Sequence, residues 1–339
     1  MVTAPRRDSG GRFRSPPMRL STIDIGSNTV RLLVADVLGR ATWQVVDQDQ
    51  TITRLGEGLA HSGALGQAPM ARTLAVVSGY VERGAWLGAR DIHIVATSAV
   101  REASNGHAFA SAVEQATGRR VDIVSGEAEA RLTLRGVRYG LGALAGPVLV
   151  FDIGGGSTEY VLAEDDAIRS MVSLRLGVVP LAERFPFPGP VDEPRYRELY
   201  GEVRTRLDRE LPATIRTAHV AHLVGTAGTV TTLAALDLGL SHYDPERVQG
   251  HLLTRPTIAR LSARLAGLTV GERAGLPCLE PGRADLIIPG IAIVMATLDQ
   301  LGLETLRVSD YGLREGVLVD AIERCYGSRP RFDTPGGAD

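Results

Sequence analysis

The segment "FDIGGGSTEY" (residues 151–160) places three glycines and two hydroxyl side chains between two acids, Asp152 and Glu159. Consecutive backbone N–H groups in such a turn form a concave site for an anion, and Ser157 and Thr158 add hydroxyl donors. The glycines Gly154, Gly155 and Gly156 permit close approaches that a side chain would block. The acids repel an anion, so the chemistry open to them is to hold a divalent cation or a water against it. The segment "LSTIDIGSNTVRLLVADV" (20–37) repeats the arrangement, with Asp24-Ile25-Gly26 matching Asp152-Ile153-Gly154 at an offset of 128 residues. Two such turns facing one cleft would grip a chain of phosphates from both sides.

These turns need strands to deliver them. The apolar run Val148–Phe151 predicts a buried strand ending at Asp152, and Val30–Val34 and Tyr160–Ala163 predict the return strands of two hairpins. Between the hairpins, Met70, Leu74, Val77 and Val81 mark one face of a helix opened by Pro69. A strand at 92–97, a helix at 104–117 stopped by Gly118, a strand at 121–124 and a helix through 125–140 follow. The second half repeats the mixture. It has a helix on Tyr196, Leu199, Val203, Leu207 and Leu211, a strand at 222–225 and a helix from Thr229. An apolar helix at 286–301 broken early by Pro289, a strand at 305–309 and a last helix at 312–327 complete it. Strands alternating with helices predict an α/β fold, and a repeat at this offset points to two similar lobes rather than a solenoid.

Composition narrows the function classes. The 339 residues carry 44% hydrophobic side chains, enough for a large core in two domains. A net charge of −2 argues against a general nucleic-acid surface, and no run approaches the ~20 apolar residues of a membrane span. All 37 basic residues are arginine, which excludes a lysine Schiff base and a Walker A phosphate loop. Cys278 and Cys325 read as isolated reduced thiols. The arginine-rich start lacks the apolar region of an export signal, so a cytoplasmic location is expected, with a homodimer entertained as the assembly. Residues 1–17 and 328–339 read as disordered tails.

The motifs "DIGSNTVRLLV", "ATSAVREASN", "SGEAEARL", "DIGGGSTEY", "GTAGTVTTLAAL" and "DYGLREGVL", in this order, resemble the exopolyphosphatase and guanosine pentaphosphate phosphohydrolase family of the actin-like superfamily. The resemblance spans roughly residues 19–327 and matches the short, two-domain form. It implies two actin-like, ribonuclease H-like lobes around a cleft: 18–134, completed by the helix at 312–327, and 135–311. Ser27, Asn28 and Thr29 match the first phosphate loop, and Gly154, Gly155, Gly156, Ser157 and Thr158 the second. Arg101 matches an active-site arginine, in which a planar guanidinium would neutralise phosphate through parallel hydrogen bonds. Glu129 matches the glutamate that orients or deprotonates the attacking water; Asp152 and Glu159, with Asp24 as a further candidate, match acids beside Mg²⁺ or Mn²⁺. Gly225, Thr226 and Gly228 match the loop that lies near base and ribose in nucleotide-binding relatives.

The implied activity is release of terminal orthophosphate from inorganic polyphosphate, with guanosine pentaphosphate as the alternative substrate. Such reactions need positioning and charge neutralisation more than covalent chemistry. Two other readings stay open on sequence: an actin-like small-molecule kinase and a non-catalytic nucleotide- or alarmone-binding regulator. The helix-start acid Glu127 is expected to be a dipole-favoured surface residue, in contrast to Glu129. The clusters Arg195, Arg197, Arg204, Arg206, Arg209 and Arg131, Arg135, Arg138 are candidates for a polymer groove, weighed against ordinary solvated helix faces.

Overall fold

The computed structural model describes residues 18–327 apart from Ala41 and Asp166. The two tails expected to be disordered lie outside the described residues. Among the described residues the strands form two sheets. The first contains β1 (Met18–Ile25), β2 (Thr29–Gly39), β3 (Thr42–Ile52), β4 (Asp91–Ala96) and β5 (Val121–Ile123) in the order β3-β2-β1-β4-β5. The second contains β6 (Val148–Ile153), β7 (Thr158–Glu164), β8 (Ala167–Leu174), β9 (His222–Thr226), β10 (Leu252–Thr254) and β11 (Thr305–Val308) in the order β10-β11-β9-β6-β7-β8.

Each sheet opens with an antiparallel meander, β1-β2-β3 or β6-β7-β8, and continues in parallel from its first strand. The predicted hairpins are therefore present, each with a third strand that the sequence pattern did not announce. Strand β3 is mostly exposed or half-buried and rich in Gln and Asp, so it lacks the apolar alternation that marks a strand. The 128-residue repeat extends to the register: Asp24 faces Arg31 across β1-β2 as Asp152 faces Glu159 across β6-β7.

Most predicted helices form close to the expected bounds. Pro289 does not break the helix Ile287–Leu301, because it stands in the first turn, where a backbone N–H has no partner inside the helix. Fifteen residues of this helix run to Gly302, whose left-handed φ of 63° ends it, and most of the helix is buried in the core of the second sheet. The helices Gln67–Trp86 and Gly106–Thr117 cover the first sheet.

Two helices carry the chain between the lobes. The helix Gly126–Leu141 buries Ala130, Leu134 and Val137 against Val150, Val161 and Val224 of the second sheet. The division expected at 134/135 falls inside it. The last helix, Leu313–Cys325, returns to the first sheet and buries Leu318, Ala321 and Ile322 against Leu20, Leu33 and Val37. These two helices pack against each other through glycine: a Cβ on Gly136 would lie 2.0 Å from the Gly312 carbonyl, and one on Gly316 1.8 Å from the Leu132 carbonyl. Backbones therefore touch where the lobes join.

Candidate active site

The two hairpin turns meet. A Cβ on Gly155 would lie 2.9 Å from Ser27 Cβ and 3.0 Å from the Asn28 nitrogen; one on Gly156 would lie 2.5 Å from Ser98 Oγ and 2.7 Å from Ser27 Oγ. The glycines thus serve an approach, and what approaches the second turn is the first. Each turn is closed by the same hydrogen bond, Gly26 N–H to the Thr29 carbonyl at 3.1 Å and Gly154 N–H to the Ser157 carbonyl at 2.9 Å.

Neighbouring backbone ties the turn carbonyls back. Gly56 donates to the Ser27 carbonyl at 2.8 Å, and Thr53 and Arg54 donate to that of Asn28 at 2.9 and 3.0 Å. Val178 and Val179 do the same for Gly154 and Gly155, at 3.2 and 2.9 Å. The N–H groups of Ser27, Asn28, Gly155 and Gly156 donate no hydrogen bond among the described residues. Acceptors held away and donors left over suit each turn to an anion.

Around the turns runs a cleft of about 100 Å³ lined by Asp24, Ser27, Asn28, Thr29, Glu129, Asp152, Gly154 to Ser157 and Gly228 among others. Asp152 Oδ2 accepts from Thr133 Oγ1 at 3.2 Å, and Glu159 Oε1 accepts from Ser157 and Ser173 hydroxyls at 2.6 and 2.7 Å. Glu159 Oε2 and Asp24 Oδ1 are buried with no hydrogen-bond partner. Burial lifts Asp24 to about 6 against the pull of Arg31, and burial with the nearby Asp152 charge lifts Glu159 to about 7. Asp152 is raised by burial, with Arg31 and Thr133 opposing. Glu129 is raised well above the ordinary carboxyl value by burial and by Glu159, opposed by Arg101.

Other predicted residues sit behind this surface. Thr158 turns its hydroxyl into the sheet, where it donates to the Leu176 carbonyl, so it is not presented to the cleft. Gly225 is packed, a Cβ there meeting Leu306, Phe151 and Val230 at 3.0 Å. Thr226 donates Oγ1–H to the Tyr311 carbonyl at 3.2 Å. Arg101 points at Glu129, with Nη1 to Oε2 at 2.8 Å. Glu127 is exposed and 4.0 Å from Arg131, in keeping with a surface acid. The candidate groove arginines are largely paired locally, Arg206 with Glu202 at 2.9 Å and Arg135 with Asp320 at 2.7 Å.

Sequence reasoning missed two arginines of the cleft wall, Arg31 and Arg283. Arg31 had a signal, since the repeat offset carries Glu159 onto it. Arg283 had none: it reaches the site from a distant 3₁₀ turn, Pro281–Arg283, with Nε 3.0 Å from Glu280 and Nη2 donating to Gln50 at 3.2 Å. Burial and Arg31 lower it to about 10. Both arginines also line a side cavity of about 500 Å³ that adjoins the cleft, together with Ala227 and Thr232.

Two meander-based lobes whose turns meet over a cleft of acids define the actin-like class of phosphate-handling proteins. Within it the chain belongs to the Ppx/GppA phosphatase family, whose model matches residues 33–325. Exopolyphosphatase 2 of Mycobacterium tuberculosis is 33% identical over 314 residues, 89% of this chain and 98% of its own. The crystal structure of the Aquifex aeolicus Ppx/GppA family member is similar with a TM-score of 0.77 and 33% identity, over 91% of this chain and 99% of that one. A guanosine-5'-triphosphate,3'-diphosphate pyrophosphatase of Pseudoalteromonas translucida is 27% identical over 96% of this chain and 64% of its own length.

The contact between turns makes Gly155→Ala informative. The added methyl has to push the turns apart, so phosphate release should fall at least ~10-fold while a thermal melt shows the fold retained. Full activity would mean that the turns separate without consequence. A second expectation concerns pH. Asp24 and Glu159 bind protons more tightly folded than unfolded, so the stability they contribute is full below about pH 4 and lost as pH rises through about 7. In chelator, unfolding free energy should therefore decline across that window, and Glu159→Gln should flatten the decline. An unchanged slope in the variant would remove Glu159 from the account.

Proposed function

We propose that the protein is an exopolyphosphatase, a hydrolase that releases terminal orthophosphate from inorganic polyphosphate by attack of water. The observation that carries this reading is the position of Glu129, a buried carboxylate in the wall of the same cleft as both anion-receiving turns. The turns bind and align the phosphate chain from both lobes. Glu129 Oε2 is taken by Arg101, and Oε1 makes no hydrogen bond among the described residues, which leaves it for a water. A base with a raised pKa is better matched to proton abstraction near neutral pH.

Among the described residues no three His, Cys, Asp or Glu side chains come together as a ready metal cage. The two buried carboxylate oxygens without partners, on Asp24 and Glu159, are nevertheless hard donors of the kind that suits Mg²⁺ or Mn²⁺. Mg²⁺ typically takes one or two carboxylates and completes its shell with substrate phosphates and water, so the donor set fits. Asp24 and Asp152, which line the cleft, would hold it, with the buried Glu159 beside Asp152. When bound it would neutralise phosphate charge as the anhydride breaks.

The second reading is guanosine pentaphosphate hydrolysis, favoured by the polar side cavity of about 500 Å³, which has room for a nucleoside beside the cleft. Similarity to exopolyphosphatase 2 over nearly its full length puts polyphosphate first. Cys278 and Cys325 are unpaired, which suits the reducing cytoplasm we propose as its location. No helix among the described residues is long and apolar enough to cross a membrane.

The test is phosphate release from long polyphosphate, tripolyphosphate, guanosine pentaphosphate and ATP, side by side and without an acceptor. Polyphosphate should be turned over fastest; release only with an added acceptor would indicate a kinase, and binding without turnover a regulator. Glu129→Gln should lower turnover ~10²–10⁴-fold with little change in affinity, and Glu127→Gln should stay near wild type. Equal mild defects would sink the role of Glu129. Metal removal should abolish turnover and added Mg²⁺ restore it; undiminished hydrolysis in excess chelator would dismiss the cation.

A further inference from the structure

Arg101 lies in the short helix Ser98–Glu102 that follows β4, and Glu129 in the first turn of the helix Gly126–Leu141. The two members of the pair differ in where they face. Glu129 lines the cleft, whereas Arg101 is not part of its wall. Arg101 Nη1 donates to Glu129 Oε2 at 2.8 Å and to the Val124 carbonyl at 2.9 Å, so both N–H bonds of that nitrogen are committed. Val124 immediately precedes Ser125, the N-cap of the helix, whose Oγ accepts from the Ala128 N–H at 3.1 Å. One guanidinium nitrogen thus binds the chain entering the helix and the carboxylate in its first turn. A substrate phosphate could claim that nitrogen only by displacing both partners, and the N–H groups of Nε and Nη2, which make no hydrogen bond among the described residues, belong to a side chain outside the cleft wall.

We propose that Arg101 is a positioning residue for Glu129 and not a ligand of the substrate's phosphates: it fixes one carboxylate oxygen and leaves the other to take the proton of the attacking water. The inference rests on the reading of Glu129 as the base. Its physical ground is that a buried carboxylate among other acids needs a charge-assisted hydrogen bond to keep both its charge and its direction. Lysine is a poor substitute, because its ammonium ends a shorter, flexible stem and is not held where Nη1 meets Val124 and Glu129 at once.

A double-mutant cycle on polyphosphate separates the roles, using wild type, Arg101→Lys, Glu129→Gln and the double variant, each checked by thermal melt. Arg101→Lys should lower kcat about 10-fold with KM within about twofold of wild type, and in the Glu129→Gln background the same change should cost less than about twofold. Arg101→Gln, which removes the charge and is too short to reach either partner, is the second variant and should show the same split. A KM raised about 10-fold, or losses that multiply in the double variant, would make Arg101 a phosphate ligand and overturn the proposal. Full turnover in Glu129→Gln alone would instead remove the base on which it rests.

Discussion

Everything in the cleft depends on two β-hairpin turns packed against each other, with glycine alone on one side of the contact. A methyl at Gly155 or Gly156 would stand within 3.0 Å of the facing lobe, so the distance between lobes at this point is set by glycine backbone on one side and by Ser27, Asn28 and Ser98 on the other. That contact brings Ser27 and Asn28 opposite Gly155 and Gly156 and puts both turns in the wall of one cleft. Tying the turn carbonyls to residues 53–56 and 178–179 gives the site its sign, since the donors are what remain.

The same closeness gathers acids. Asp24, Asp152, Glu159 and Glu129 crowd into a volume from which water is largely excluded, and burial raises all four. Their cationic counterparts are few and specifically placed. Arg31 acts on Asp24 and Asp152, while Arg101 is given to Glu129. The repeat is therefore symmetric in backbone and asymmetric in charge, because the position that carries Glu159 in one hairpin carries Arg31 in the other. An acid at position 31 would have added to the charge of Asp24 and Asp152, whereas the arginine opposes it.

Two helices join the lobes, and they join them closely. Glycines at 136 and 316 let the helix carrying Glu129 touch the last helix backbone to backbone. Gly312, at the head of that last helix, would place a Cβ 3.1 Å from Thr226 Oγ1 and 4.0 Å from Asp152 Oδ2. Thr133, one turn beyond Glu129, donates to Asp152. The helix that carries Glu129 is thus fastened to the acid of the second lobe and to the last helix where the lobes join, so its position relative to the turns is set by packing on both sides.

The chain by itself determined the features that are local. Turn chemistry, strand runs and the 128-residue repeat are written in neighbouring residues, so the hairpins, their acids, Gly118 as a stop and the alternation of strands and helices were legible without coordinates. The ordered motifs made the family and the place of Glu129 legible as well. Strand β3 was not, because a half-exposed edge carries no apolar alternation, and the reading of Pro289 as a break failed because a first-turn position tolerates proline. Only the tertiary structure decided which residue each long side chain meets. Arg101 turns to a carboxylate 28 positions away, Arg283 reaches Gln50 across the lobes, and Thr158 turns inward to Leu176. Such partners follow from how two lobes pack, and the direction of a guanidinium or hydroxyl is a property of that packing rather than of the residues beside it in sequence.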